Sequence, residues 1–253
     1  MTDARDEGRM TLMEHLTELR NRLIKCVIAV AIGGILAWIL YPQIFDFLIQ
    51  PYEDIAKDGN TIAGGDLIAV DPLEGFSVRL KVAGYGGIAF AMPVLLWQIW
   101  RFVTPGLYPH EKRYAVPFVV SSLLLFVMGA GLAYLTLPRA LEFLVDIGGD
   151  DLVAAYSPAK YFSLITYMML AFGIGFEFPI LLVFLQLAGV VEPSSLARGR
   201  RYAIVGIVVL VAIVTPSGDP YSMLALSVPM IVFYELSILV GRLLVRRRAA
   251  ADA

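Results

Sequence analysis

The sequence contains few of the residues from which enzyme and metal sites are built. Its 253 residues include one cysteine, Cys26, and two histidines, His15 and His110. A single cysteine excludes a disulfide within the chain and a cysteine-based metal cluster. His110 and Glu111 begin a zinc-protease motif, but the second histidine of H-E-x-x-H would fall at Tyr114. There is no phosphate-binding loop or dinucleotide fingerprint, so the sequence predicts a protein that is not an enzyme and uses no metal or cofactor.

Charged residues are also scarce. Only 17% of the residues are charged and 58% are hydrophobic, with a mean hydropathy of +0.74. Soluble domains average about 25% charged and about 45 to 50% apolar residues, so this composition indicates an integral membrane protein. The net charge of −2 offers no strongly basic field for nucleic acid. No linker or charge block divides the chain, and we expect a single polytopic domain over residues 1–253 within a lipid bilayer.

Long apolar runs place the helices. Runs of about 20 apolar residues are typical of membrane-crossing helices. They predict an all-α membrane protein with an amphipathic surface helix at 10–23 and six transmembrane helices at about 24–40, 82–100, 115–137, 162–191, 203–214 and 223–240. The last two are short, because 203–214 would cover about 18 Å of a hydrocarbon layer about 30 Å thick. Turn-forming residues between them favour two short crossings over a re-entrant hairpin.

The distribution of lysine and arginine predicts the orientation. When alternate segments are assigned to opposite sides, 15 of the 20 lysines and arginines fall on one side and five on the other. The positive side of a polytopic protein normally faces the cytoplasm. We therefore expect both termini in the cytoplasm, which requires an even number of crossings.

The segment TLMEHLTELRNRL, residues 11–23, has leucines at the three- and four-residue spacing of an amphipathic helix. Glu18 and Arg22 form a favourable i, i+4 pair on this helix. Two interpretations remain open. The segment is an interfacial anchor, or Glu18 and Arg20 belong to a recognition surface.

The loop RFVTPGLYPHEKR, residues 101–113, combines two prolines and a glycine in five positions. Such residues restrict the backbone and would hold Glu111 in place near the membrane surface. A solvated loop carboxylate is the alternative interpretation.

The segment AFGIGFEFPILLV, residues 171–183, carries one acid, Glu177, about 23 Å along a helix from the nearest charged residue. Acids inside membrane spans are rare and usually face a cavity, a bundle interior or a partner. Pro179 lacks the amide that would bond the Gly175 carbonyl, so we expect a kink beside Glu177. The alternatives are a carboxyl group hydrogen-bonded inside the bundle, a contact for a partner helix, and a proton relay in a proton-coupled secondary transporter.

These segments, in this order, resemble the TatC family, the polytopic receptor subunit of the twin-arginine protein translocase. The resemblance rests on HLTELRNRL, FVTPGLYPHEKR, AFGIGFEFP and the final pair of helices, and it covers nearly the whole chain. It implies a protein of the prokaryotic plasma membrane that binds twin-arginine signal peptides. It also implies TatA and TatB as partners, self-association in a receptor complex, and export of folded proteins driven by the proton-motive force.

The resemblance also implies roles for individual residues. The signal-peptide-binding positions fall on Glu18 and Glu111, with Arg20 and Phe102 as further binding positions. Pro51 falls on a functionally important position of the first outer loop, and Glu177 on the acid that contacts a partner within the membrane. Asp219 follows TPSG where the family often has TPP before its aspartate, so its equivalence stays open.

Overall fold

The computed structural model describes residues 12–57, 67–103, 115–148, 156–187, 189–216 and 218–251. Every regular element in these ranges is a helix, which confirms the all-α prediction for this part of the chain. The elements are α1 (Leu12–Ile39), α2 (Tyr41–Lys57), α3 (Glu74–Val103), α4 (Ala115–Gly148), α5 (Pro158–Gly175), α6 (Phe178–Leu187), α7 (Pro193–Arg198), α8 (Arg200–Val214) and α9 (Pro220–Ala251).

Among the described residues, five stretches are long and apolar enough to cross a membrane. They are Leu16–Ile39, Glu74–Phe102, Val116–Gly148, Pro158–Leu187 and Pro220–Leu243. The remaining predicted span, 203–214, corresponds to α8, whose 15 residues rise about 22 Å. This is less than a hydrocarbon layer of about 30 Å, so a sixth crossing stays a prediction.

The two ends of the bundle differ from the sequence prediction. The amphipathic segment and the first span were expected as separate helices, but α1 runs through both without a break. The last span was expected to be short, and this is wrong, because the apolar stretch Pro220–Leu243 of α9 has 24 residues and is long enough to cross a membrane. Glu235 does not end the apolar helix, since its carboxylate pairs with the Arg200 guanidinium at 2.8 Å and both side chains stay partly exposed.

Helix α2 was not predicted at all, although its residues carry a helical pattern. Leu48, Tyr52 and Ile55 are buried at a spacing of four and three residues, and Pro51 lies inside the helix and is also buried. The Tyr161 hydroxyl donates a hydrogen bond to the Leu48 carbonyl at 2.7 Å, which ties α2 to α5. Helix α2 therefore covers the end of the core.

The kink expected at Pro179 is present. Regular helix stops after Gly175 and resumes at Phe178, so Glu177 lies in a turn between α5 and α6. Its amide donates to the Ile174 carbonyl at 3.0 Å, a tightened three-residue turn. The break fixes the position from which the Glu177 side chain leaves the backbone.

Helices α4 and α5 cross at close range. A Cβ atom added at Gly129 would lie 2.5 Å from the Phe172 carbonyl oxygen, and one added at Gly173 would lie 2.6 Å from the Phe126 ring. Only glycine allows this approach, and the core around Phe172 depends on it because Phe172 is fully buried.

Replacing Gly129 with alanine is expected to lower the thermal unfolding midpoint, because the added methyl group meets backbone atoms that cannot rotate away. Overpacking of this kind costs about 1 to 3 kcal/mol. Gly131→Ala is the matched control, since it lies on the same helix with nothing within 4 Å of an added Cβ. Equal midpoints for the two variants, measured in detergent, would contradict this description of the crossing.

The predicted outer end is closed by a carboxylate that links two helices. One Glu74 oxygen accepts hydrogen bonds from the Ser157 hydroxyl and from the Ala159 amide, the latter at 3.0 Å. The other oxygen accepts from the Val70 amide at 2.9 Å. Ala159 is in the first turn of α5, so a carboxylate from α3 caps the amino terminus of α5.

Aromatic rings mark the level of the membrane interface at this end. The Arg79 guanidinium lies 4.5 Å from the centroid of the Trp38 ring and 5.2 Å from that of Tyr41. It also donates to the Trp38 carbonyl at 3.3 Å. Tryptophan, tyrosine and arginine gather where hydrocarbon meets headgroups, so we expect α1 and α3 to leave the hydrocarbon here.

Candidate functional site

Glu18 lies in a charged pocket at the predicted cytoplasmic end. Its Oε1 accepts two hydrogen bonds from the Arg22 guanidinium, one from Nε at 3.0 Å and a shorter one from Nη2. Arg22 Nη1 also reaches Gln98 Oε1 on α3, at 3.5 Å. The predicted i, i+4 pair is therefore confirmed, and Arg22 connects it to the neighbouring helix.

The second carboxylate oxygen of Glu18 is buried and has no hydrogen-bond partner among the described residues. The pocket around it measures about 520 Å³, and its other charged lining residues are Arg22, Lys25 and Arg101. A carboxylate oxygen without a partner at the wall of a cavity can accept a charge-assisted hydrogen bond from a cation that enters the cavity.

The structure brings only some of the predicted binding residues together. Arg20 is exposed and does not line the pocket. Phe102 is half-buried and follows Arg101, which does line it. Glu111 lies outside the described residues. Pro51 is buried in α2, beyond the far end of α1 and on the order of 30 Å of helix away from Glu18.

Glu177 opens onto a groove of about 930 Å³ between the spans. The walls are apolar and come from four sides, including Met92 of α3, Phe118 of α4, Ile174 of α5 and Leu226 of α9. Among the described residues that line the groove, Glu177 carries the one carboxyl group and Ser122 the one aliphatic hydroxyl group.

Only one oxygen of the Glu177 carboxyl group is used. The Ser122 hydroxyl on α4 is within hydrogen-bonding reach of the group, while Glu177 Oε1 is buried and has no partner among the described residues. A buried polar atom without a partner costs about 1 to 3 kcal/mol. A partner that fills the groove and reaches Glu177 would recover that free energy.

Sequence reasoning missed the aromatic wall of this groove. The Trp100 ring lies 4.6 Å from Phe118 and 5.6 Å from Phe184, measured between ring centroids. All three residues line the groove. They come from α3, α4 and α6, so only packing of the helices brings them together. Gln98 and Ser122 were missed for the same reason.

Asp219 has a structural role in the described fold. It is fully buried, and its Oδ1 accepts a hydrogen bond from the Ser222 amide at 2.7 Å. With Pro220 as the first residue of α9, Asp219 is the N-cap of that helix. Gly218 precedes it at a φ of 60°, which a residue with a side chain adopts at a cost.

Asp219→Ala is expected to destabilise the protein by about 0.5 to 2 kcal/mol, because the cap is lost. Asp219→Asn keeps the acceptor oxygen and should retain most of that stability. Thermal unfolding of both variants in detergent measures the difference. An alanine variant as stable as the asparagine variant would show that the cap contributes little.

No group of three or more metal-ligating side chains occurs within the described ranges. The architecture is that of a polytopic helical membrane protein with a charged pocket at one end and an apolar groove between its spans. Residues 14–229 match the sequence profile of the family described as Sec-independent protein translocase protein (TatC). The chain belongs to this family, and it is a component of a prokaryotic protein translocase.

Individual relatives agree with this assignment. The Sec-independent protein translocase protein TatC of Aquifex aeolicus is 40% identical over 242 residues, covering 94% of this chain and 98% of the relative. That of Frankia casuarinae is 42% identical over 250 residues, covering 96% and 69%. The crystal structure of the twin-arginine translocase receptor TatC in DDM superposes with a TM-score of 0.76 at 39% identity, covering 90% of this chain and 99% of that one.

Proposed function

We propose that this chain is the receptor subunit of a twin-arginine translocase and binds twin-arginine signal peptides at its cytoplasmic end. One observation carries the proposal: a carboxylate, Glu18, sits in an open pocket with one oxygen paired to a guanidinium and the other buried without a partner. Both termini and this pocket face the cytoplasm, and six helices cross the plasma membrane.

Arginine suits this pocket better than lysine. A guanidinium is a planar fork that donates to carboxylate oxygens in parallel, whereas an ammonium is a point charge. Arg22 already shows the fork engaging Glu18 Oε1 through two nitrogens. A second guanidinium from the signal peptide would take the free Oε2. Glu111, from the loop that follows α3, supplies the carboxylate for the other arginine, with Arg20 and Phe102 contributing to the surface.

The groove that holds Glu177 serves the later steps. TatA and TatB, the single-span partners, place a helix against its apolar walls and a polar group against Glu177 Oε1. Export of the folded cargo then draws on the proton-motive force, and several receptor subunits associate with one another. Pro51, buried in α2, supports the outer face of this assembly.

The second candidate is a proton-coupled secondary transporter with Glu177 as its relay. A relay needs a series of ionisable groups through the membrane. Apart from Glu177 and Glu235, the middle parts of the five long apolar stretches carry no acid. Glu235 is also committed to Arg200 near the predicted cytoplasmic end. This arrangement favours the partner contact over the relay.

Peptide binding to the purified protein tests the proposed function. We expect a fluorescent twin-arginine signal peptide to bind and cross-link to the protein in lipid nanodiscs, and a twin-lysine version of the same peptide to bind at least tenfold more weakly. Equal binding of the two peptides, or none of either, would reject the receptor function.

A further inference from the structure

A second cationic pocket lies at the predicted outer end, distant from Glu18. We call it the outer lysine pocket. It measures about 390 Å³, and its lining residues include Lys81, Tyr85, Lys160, Ser163, Tyr167 and Pro216. Three parts of the chain meet here: the first third of α3, the start of α5 and the turn that follows α8.

The pocket has two ammonium groups and no carboxylate in its lining. Lys81 Nζ donates to the Ala159 carbonyl at 3.1 Å, and neither lysine forms an ion pair with a described residue. Glu74 is the nearest acid along α3, but its oxygens are taken by Ser157, Ala159 and Val70. Hydroxyl groups of Tyr85, Ser163 and Tyr167 complete the lining. Two uncompensated cations with hydroxyl donors form a site for a phosphate group.

The pocket lies at headgroup depth. Arg79, held between Trp38 and Tyr41, marks the interface, and Lys81 is one half-turn further along α3. On the opposite wall, Pro216 follows the end of the short helix α8. Both walls of the pocket therefore lie near the ends of apolar helices, at the level where we expect the lipid headgroups.

The outer lysine pocket adjoins the apolar groove. Tyr167 lines both, with Leu170, Ala171 and Ile174 following it along α5 into the groove. A charged pocket beside about 930 Å³ of apolar space matches the two parts of a phospholipid, the headgroup and the acyl chains. A free phosphate ion would occupy only the outer lysine pocket.

We propose that the outer lysine pocket binds the phosphate of an anionic phospholipid, whose acyl chain enters the outer end of the groove. Lys81 and Lys160 hold the headgroup, and the tyrosine and serine hydroxyls orient it. The lipid fills the upper part of the groove and leaves the Glu177 end to a partner helix. The site is independent of signal-peptide binding, because Glu18 lies at the other end of the bundle.

Photolabelling with a lipid probe tests the site. The protein in nanodiscs is labelled with phosphatidylglycerol that carries a diazirine in its acyl chain, and labelled peptides of α3 and α5 are quantified by mass spectrometry. We expect Lys81→Gln or Lys160→Gln each to reduce labelling about fivefold, and the double variant to reduce it about 25-fold. Arg139→Gln is the matched control, because Arg139 is an exposed cation on α4 at the same membrane face. It should leave labelling unchanged.

Further measurements distinguish lipid binding in the pocket from other causes of labelling. Full labelling of the double variant would overturn the proposal, as would equal labelling by a phosphatidylcholine probe, because neither outcome needs the two cations. Competition by inorganic phosphate as strong as that by unlabelled phosphatidylglycerol would show a simple ion site and reject the lipid, because the acyl chain would then contribute nothing. Lys160 is exposed, and its side chain makes no hydrogen bond within the described ranges, so Lys160→Gln alone remains decisive if the double variant unfolds. A thermal unfolding midpoint in detergent equal to that of the unmodified protein shows that each variant is folded.

Discussion

Replacing Glu18 with glutamine is expected to weaken binding of a twin-arginine signal peptide about 10- to 100-fold. The variant keeps the size and hydrogen-bonding shape of the side chain but removes its charge. A hydrogen bond to a charged group contributes about 1.5 to 3 kcal/mol, and about 1.4 kcal/mol corresponds to a factor of ten in affinity. We expect this loss of affinity because Glu18 lines the pocket with a buried carboxylate oxygen that has no partner among the described residues.

Fluorescence anisotropy with the labelled peptide in nanodiscs measures this effect. Glu192→Gln is the control, since Glu192 is an exposed acid between α6 and α7 whose carboxylate accepts a hydrogen bond from Ser194. It makes the same change of charge without touching the pocket. Glu111→Ala should also weaken binding of the peptide, while the amount of protein in the membrane stays constant. An unchanged dissociation constant for Glu18→Gln would remove Glu18 from the binding site.

The membrane spans were predictable because each is a long apolar run that needs no knowledge of its neighbours. Helix α2 was not, since its apolar residues alternate with polar ones and become a core element only when Leu48 meets Tyr161 of α5. The last helix was predicted over 223–240 and is longer in the structure. Its acid, Glu235, pairs with Arg200, 35 positions earlier in the sequence, and the helix continues past this pair.

The residues of the candidate site also fall into those that the sequence could indicate and those that it could not. Glu18, Arg22 and Glu177 could be selected from the sequence, because a local pair and an isolated acid are visible along the chain. Gln98 and Ser122 could not, since their significance arises from contacts across 76 and 55 positions of sequence. Asp219 is a different case. The sequence left its equivalence to the family position open, and the structure adds that its side chain accepts a hydrogen bond from the Ser222 amide as a helix cap.

Glu177→Ala is expected to reduce cross-linking of TatA or TatB from the groove by about tenfold or more, and export with it. The carboxyl group presents a buried oxygen without a described partner at the wall of an apolar groove. A partner helix that satisfies this atom gains about 1 to 3 kcal/mol, and alanine removes the group altogether. Ser122→Ala should have a smaller effect, because Ser122 contacts the carboxyl group from within the protein.

Glu177→Gln separates the hydrogen bond from the proton. Glutamine keeps a polar group at the same place but cannot titrate, so the partner contact predicts cross-linking and export close to those of the unmodified protein. A proton relay predicts the opposite, with glutamine as inactive as alanine. Site-specific cross-linking from Ile174, which also lines the groove, measures the contact, and the rate of export of a folded reporter measures activity. An inactive glutamine variant with normal cross-linking would reject the partner contact as the role of Glu177, because a side chain needed only for its hydrogen bond must tolerate the loss of its proton.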